Sequence, residues 1–125
     1  MLKADLLRFL RGFGFAFEGM LHAARTERNI RVHIVIALCC VLLGLFLGLS
    51  WIEWAVIALA MSGVFTSEMM NTAVEYLIDL ASPEHHPLAK IAKDAAAGAV
   101  LINAVFAALV GIVIFGPKLL DVIRR

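Results

Sequence analysis

Residues 34–52 carry no charge, and this run is long enough to cross the roughly 30 Å hydrocarbon core of a bilayer as a helix. A second apolar run, residues 55–67, is short for a span, but its helical pattern continues to about Leu80. The pattern predicts a helix over 53–80 that leaves the hydrocarbon near Ser67 and projects into water. A third uncharged run, residues 95–117, sits inside a helix predicted over 87–116. Between the first two spans, Trp51-Ile52-Glu53-Trp54 sets two interface-seeking indoles around a carboxylate and predicts a tight turn at the membrane surface. Between the last two, Pro83 biases Ser82 away from helical geometry, and Pro87 suits the first turn of the next helix.

Ahead of the spans, residues 1–26 place Leu2, Leu6, Leu7, Phe9, Leu10, Phe13, Phe17, Met20 and Leu21 mostly on one helical stripe. Arg8, Arg11, Glu18, His22 and Arg25 lie mostly off it. This is the pattern of an amphipathic helix lying in the interface plane, although Gly12, Gly14 and Gly19 weaken it. Arg8, Arg11 and Glu18 interrupt any signal-peptide core, so the segment is expected to belong to the mature protein. The expected fold is all-α: one domain over 1–125 with three transmembrane helices and a surface helix.

Composition agrees. Of 125 residues 62% are hydrophobic, more than so small a chain could bury in water. Net charge is only +1 and gives no reason to expect a nucleic-acid partner, but its distribution is uneven. Lys3, Arg8, Arg11, Arg25, Arg28 and Arg31, with Lys90 and Lys93 of the second loop, stand against Lys118, Arg124 and Arg125 on the other side. The excess of basic residues puts the N-terminus and the second loop in the cytoplasm. Cys39 and Cys40 are adjacent in an apolar run, far from His85 and His86, and read as small helix residues rather than metal ligands.

Candidate chemistry gathers on the expected cytoplasmic face. At about 100° per residue, Glu68, Asn71, Glu75 and Asp79 fall within an arc of roughly 80° on one helix face. Ionisable groups this close to hydrocarbon are costly and usually line a functional cavity. Their flanks are Met69, Met70, Val74, Leu77 and Ile78, not the cations of a plain surface helix. A second polar set, Glu27, Asn29, Arg31 and His33, precedes the first span. A third comprises His85, His86, Lys93 and Asp94. Carboxylates bind Mg²⁺, a further carboxylate can accept a hydroxyl proton, and a lysine balances phosphate charge. These are the parts that phosphoryl transfer needs. No P-loop or kinase glycine loop is present. A transporter would hold its ionisable groups near the bilayer midplane, whereas here that level is apolar apart from Asn103, Ser62 and Thr66. Asn103 is expected to bond a neighbouring helix.

Glu68-x-x-Asn71-Thr72-Ala73-Val74-Glu75-x-x-x-Asp79 resembles the signature of the prokaryotic diacylglycerol kinase family, and Lys93-Asp94-Ala95-Ala96-Ala97-Gly98-Ala99-Val100 resembles its second block. Ala24 to Asn29, His33, Ile52-Glu53-Trp54, His85 to Lys90 and Pro117-Lys118-Leu119 resemble the undecaprenol kinase branch of Gram-positive bacteria. The resemblance implies a homotrimer in the bacterial cell membrane, with sites shared between subunits, that uses ATP and Mg²⁺ to phosphorylate a membrane lipid alcohol, undecaprenol or alternatively diacylglycerol. It implies Glu68 as proton acceptor, and Glu27 and Glu75 as ligands of metal and ATP. Arg8, Phe15, Glu84, His85, His86, Lys93 and Asp94 would contact ATP. Asn71 and Asp79 would support the site. Phe15 stands where some relatives have a tyrosine, so that contact would lack a hydroxyl.

Overall fold

The computed structural model describes residues 2–124. Four helices follow one another: α1 (Leu2–Thr26), α2 (Arg28–Leu47), α3 (Trp51–Ala81) and α4 (Pro87–Ile123). The last three are each long and apolar enough to span a membrane, as the charge-free runs predict. The starts of α2 and α4 and the end of α3 share one end of the bundle, here called the polar face.

The spans begin and end elsewhere than expected. Helix α2 starts at Arg28 rather than at 34, because its basic and polar first turns still close backbone hydrogen bonds. Its end is Leu47, not 52: Gly48 takes the left-handed conformation (φ 64°) that side-chain-bearing residues avoid. The Leu49 N–H then bonds back to the Gly44 carbonyl at 3.1 Å, closing a Schellman-type end. The turn expected at Trp51–Trp54 is therefore displaced to 48–50. Ser50 caps α3: its hydroxyl accepts from the Glu53 N–H at 3.3 Å, while the Glu53 carboxylate accepts from the Ser50 N–H at 2.7 Å. Both tryptophans thus lie in the first turn of a helix. The end of α3, at Ala81, agrees with the stop that Pro83 imposes.

Helix α4 runs to Ile123, past the end expected at 116, with Pro117 inside it. Proline removes one helical hydrogen bond. The turn beyond it is held by Lys118, whose Nζ lies 3.2 Å from the Glu53 carboxylate at the start of α3. This ion pair joins α3 to α4 at the end opposite the polar face.

The core is thin. Ile57, Val64 and Phe115 are buried between the spans, Ala23 and Ile30 between α1, α2 and their neighbours. Gly44 lets α2 approach α3 closely: a methyl group there would stand 2.7 Å from Trp54 Cη2. Gly63 leaves room for Asn103, which bonds the Ala99 carbonyl of its own helix at 3.3 Å rather than the neighbouring helix expected to receive it. Helix α1 runs unbroken through its glycines, with Phe9, Phe13, Phe15 and Phe17 all exposed.

Candidate functional site

The acidic stripe of α3 is real, but its members stand in different surroundings. Glu68 is 3% exposed, Asn71 and Glu75 are half-buried, and Asp79 is exposed. The stripe climbs out of the packed spans towards the polar face, so burial falls along it.

A buried carboxylate needs a polar partner to replace lost water. Glu68 has one from α2: the His33 imidazole Nε2 lies 3.2 Å from its Oε1. The His33 ring also meets Phe65 edge-on, with centroids 6.5 Å apart. One turn above, Asn71 donates its amide to Glu75 Oε1 at 2.9 Å, and the Asn71 Oδ1 is buried with no partner among the described residues. Asp79 pairs with Lys93 of α4.

Glu27 forms the break between α1 and α2, in extended geometry. Its Oε1 accepts a hydrogen bond from the Tyr76 hydroxyl at 3.0 Å. The same hydroxyl lies 3.4 Å from His22 Nε2 and from Thr26 Oγ1, and the His22 and Tyr76 rings meet edge-on. Tyr76 therefore gathers the end of α1 and the break onto α3, beside Glu75.

The 82–86 loop and the first turns of α4 enclose a cleft of about 690 Å³. Asp79, Glu84, His85, His86, Lys90, Lys93 and Asp94 line it. Lys90 bonds Asp94 one turn on at 2.5 Å, and His86 caps α4 by accepting from the Leu88 N–H at 3.2 Å. A second cavity, about 230 Å³ and apolar, runs between α2, α3 and α4 from His33 and Phe65 to Ile57 and Phe115.

Of the residues singled out in the sequence, the fold brings Glu84, His85, His86, Lys93, Asp94 and Asp79 together around one cleft. It keeps Glu27, Glu68, Asn71 and Glu75 on the same face. It does not bring Arg8 or Phe15 to either group; both are exposed on α1. Sequence reasoning gave no site role to His33, Tyr76 or Lys90. His33 had a signal, its place in the polar set before the first span. Tyr76 had only its position next to Glu75.

The oxygen-rich carboxylates of Glu27 and Glu75 suit a hard cation such as Mg²⁺. Among the described residues no three His, Cys, Asp or Glu side chains form a cage. Magnesium does not require one, since it usually binds one or two carboxylates and completes its shell with water and phosphate oxygens. The amide that bonds Glu75 also carries a buried oxygen without a partner among the described residues, Asn71 Oδ1.

The prokaryotic diacylglycerol kinase family model matches residues 14–115. Undecaprenol kinase of Bacillus subtilis is 47% identical over 117 residues, spanning 94% of this chain and 95% of that protein. A diacylglycerol kinase of Synechocystis is 41% identical over 90% of this chain and 65% of its own length. Diacylglycerol kinase of Escherichia coli K12 is 28% identical over 82% of this chain and 84% of its own. The family match takes in α2, α3 with its acidic stripe, the α3–α4 cleft and α4 as far as Phe115, and the chain belongs to the prokaryotic diacylglycerol kinase family.

Proposed function

We propose that this chain is a lipid kinase that transfers the γ-phosphate of ATP to the hydroxyl of undecaprenol, giving undecaprenyl phosphate. One observation carries the choice of lipid: the 47% identity with an undecaprenol kinase extends over nearly the full length of both chains. The geometry supports the chemistry, because a buried carboxylate, Glu68, bonds His33, which lines an apolar cavity between the spans, while the same helix carries Asp79 into a cleft with two lysines.

In this reading the lipid keeps its chain in the bilayer and presents only its hydroxyl to Glu68. The hydroxyl oxygen forms a bond to the γ-phosphorus, the bond from phosphorus to the ADP oxygen breaks, and Glu68 takes the hydroxyl proton. Mg²⁺, bound with the nucleotide, would supply charge neutralisation at the phosphates. Glu75, steered by Asn71, and Glu27, held by Tyr76, would be its protein ligands. Lys93, His85, His86, Glu84 and Asp94 line the cleft that would receive the nucleotide, and Asp79 holds Lys93 there.

Arg8 and Phe15 reach the nucleotide only if α1 of another subunit covers the cleft. A second subunit would have to supply them, and we read the working enzyme as the homotrimer with shared sites that the family resemblance implies. Helix α1 lies in the membrane interface with its phenylalanines in lipid, and the polar face is cytoplasmic, on the side with more basic residues.

Diacylglycerol is the second reading, favoured by the 41% identity with the Synechocystis enzyme. Undecaprenol and diacylglycerol at equal mole fraction in mixed micelles, with radiolabelled ATP and Mg²⁺, decide between them. Undecaprenyl phosphate is the expected main product. Predominant phosphatidic acid overturns the choice of lipid. Glu68→Gln is expected to lose transfer at least a hundredfold while still binding ATP; near-normal turnover removes Glu68 as the base.

A further inference from the structure

Glu75 is held by Asn71, Glu27 by Tyr76 and Asp79 by Lys93. The remaining acid of the polar face that sits within the packed spans is Glu68, and its one polar partner among the described residues comes from another helix. We propose that His33 is a positioning residue for phosphoryl transfer, holding the Glu68 carboxylate aimed at the lipid hydroxyl. This rests on the reading of Glu68 as the proton acceptor.

Four observations meet at His33. Its Nε2 lies 3.2 Å from Glu68 Oε1, within hydrogen-bond reach. Glu68 is 3% exposed, so water contributes little to holding its side chain. The ring also meets Phe65, one turn before Glu68 on α3, edge-on with centroids 6.5 Å apart. It also closes the polar-face end of the apolar cavity, beside Ile36, Ala37 and Val64. An imidazole N–H donating to Oε1 replaces part of the lost solvation and restricts rotation of the carboxylate. Oε2, which has no partner among the described residues, is left to take the hydroxyl proton. His33 touches neither phosphate nor metal in this scheme; it acts through Glu68 alone.

The pairing also fits where each side chain is anchored. His33 stands on the second turn of α2, and Glu68 more than four turns along α3. A contact between two spans fixes the carboxylate against rotation of either helix, which a partner on its own helix could not do. The apolar lining that α4 gives to the cavity (Ala104, Ala107, Ala108, Gly111 and Phe115) offers no competing donor.

The test uses the full chain in mixed micelles with His33→Leu and His33→Gln. Leucine removes the donor at similar bulk; the glutamine amide can restore an N–H near Nε2. The leucine variant is expected to lower kcat roughly tenfold to a hundredfold, the range for a hydrogen bond to a charged group, with the KM for MgATP within about twofold. The glutamine variant is expected to recover at least about a third of wild-type kcat, a loss of under about 0.7 kcal/mol. A leucine variant within about threefold of wild-type kcat overturns the proposal. So does a glutamine variant as slow as leucine, or a loss carried by the KM for MgATP. If the leucine variant elutes aggregated in detergent, the glutamine variant alone decides: monodisperse but below a tenth of wild-type kcat, it refutes the role. Glu68→Gln measured alongside separates the two readings. Turnover by Glu68→Gln removes the base itself, whereas an inactive Glu68→Gln beside a fully active His33→Leu removes only the positioning role.

Discussion

Tyr76→Phe removes one hydroxyl and leaves the ring. In the native chain that hydroxyl donates to Glu27 Oε1 at 3.0 Å and has two longer contacts, to His22 Nε2 and Thr26 Oγ1, both at 3.4 Å. The two long contacts are at the weak end of hydrogen bonding and contribute little. The edge contact between the His22 and Tyr76 rings survives in phenylalanine. What is lost is one hydrogen bond to a carboxylate. A buried bond of this kind is worth about 1.5–3 kcal/mol, but Tyr76 is 47% exposed and water competes for the Glu27 oxygen. A loss of about 0.5–1.5 kcal/mol is the reasonable range.

That loss has a specific address. Glu27 is the break between α1 and α2, so its carboxylate belongs to a residue outside regular helix on both sides. If Glu27 must be held to receive magnesium with the nucleotide, Tyr76→Phe raises the KM for MgATP by about twofold to tenfold. The kcat at saturating nucleotide stays within about twofold, because Glu68 and His33 are untouched. The assay is initial velocity against MgATP at saturating lipid, repeated against free Mg²⁺ at fixed ATP. Glu27→Gln serves as the upper limit. An unchanged KM in Tyr76→Phe beside a large rise in Glu27→Gln would refute the idea that Tyr76 holds the ligand. A fall in kcat with KM unchanged would place Tyr76 in the transfer step.

Two other substitutions probe the cleft and the scaffold. Lys93→Met removes a cation from the α3–α4 cleft and leaves Asp79 unpaired; a rise of roughly tenfold or more in the KM for ATP is expected from velocity curves, and no rise would take Lys93 out of the nucleotide site. Gly44→Ala sets a methyl 2.7 Å from Trp54 Cη2 and 3.0 Å from Cζ2, so Trp54 must move; overpacking of this kind costs about 1–3 kcal/mol, read as a lower melting temperature with a shifted tryptophan emission, and an unchanged melt would show that the α2–α3 contact yields freely.

The spans were legible in the sequence because the criterion for crossing a bilayer is local: a run without charge, long enough. Their ends were less so. Arg28 to His33 are polar enough to read as a loop before the first span, yet helical hydrogen bonding costs nothing extra at an interface, and α2 includes them. The Gly44-x-x-x-Gly48 spacing could have marked a face between helices. Instead Gly48 ends α2 through its positive φ, and Gly44 seats Trp54. Ser50 and Glu53 spell a capping box, and the two tryptophans obscured it. The acidic stripe was readable from period alone, since all four residues share one helix. Its partners were not. His33 meets Glu68 across 35 residues and Tyr76 meets Glu27 across 49, so both pairings depend on the register between packed helices. Arg8 and Phe15 were named through resemblance to a family, and nothing in a single chain brings them to the cleft.

Span length sets the acids of α3 at different depths. The helix has 31 residues, a length of about 46 Å, against roughly 30 Å of hydrocarbon. If Trp51 marks one interface, as its 91% exposure and indole suit, an upright helix crosses the hydrocarbon in about twenty residues. The second boundary then falls near Asn71. Glu68 stands just inside it, where a carboxylate is tolerable only with a partner and where a lipid hydroxyl naturally lies. Glu75 and Asp79 stand about one and two turns beyond it, on the aqueous side, where the proposed mechanism brings the phosphates and their cation. A tilt of about 20° adds only one or two residues to the crossing and keeps this order. One continuous helix thereby measures out the two depths that a lipid kinase must join. The His33 contact is needed at the deeper one because that is where the helix has not yet reached water.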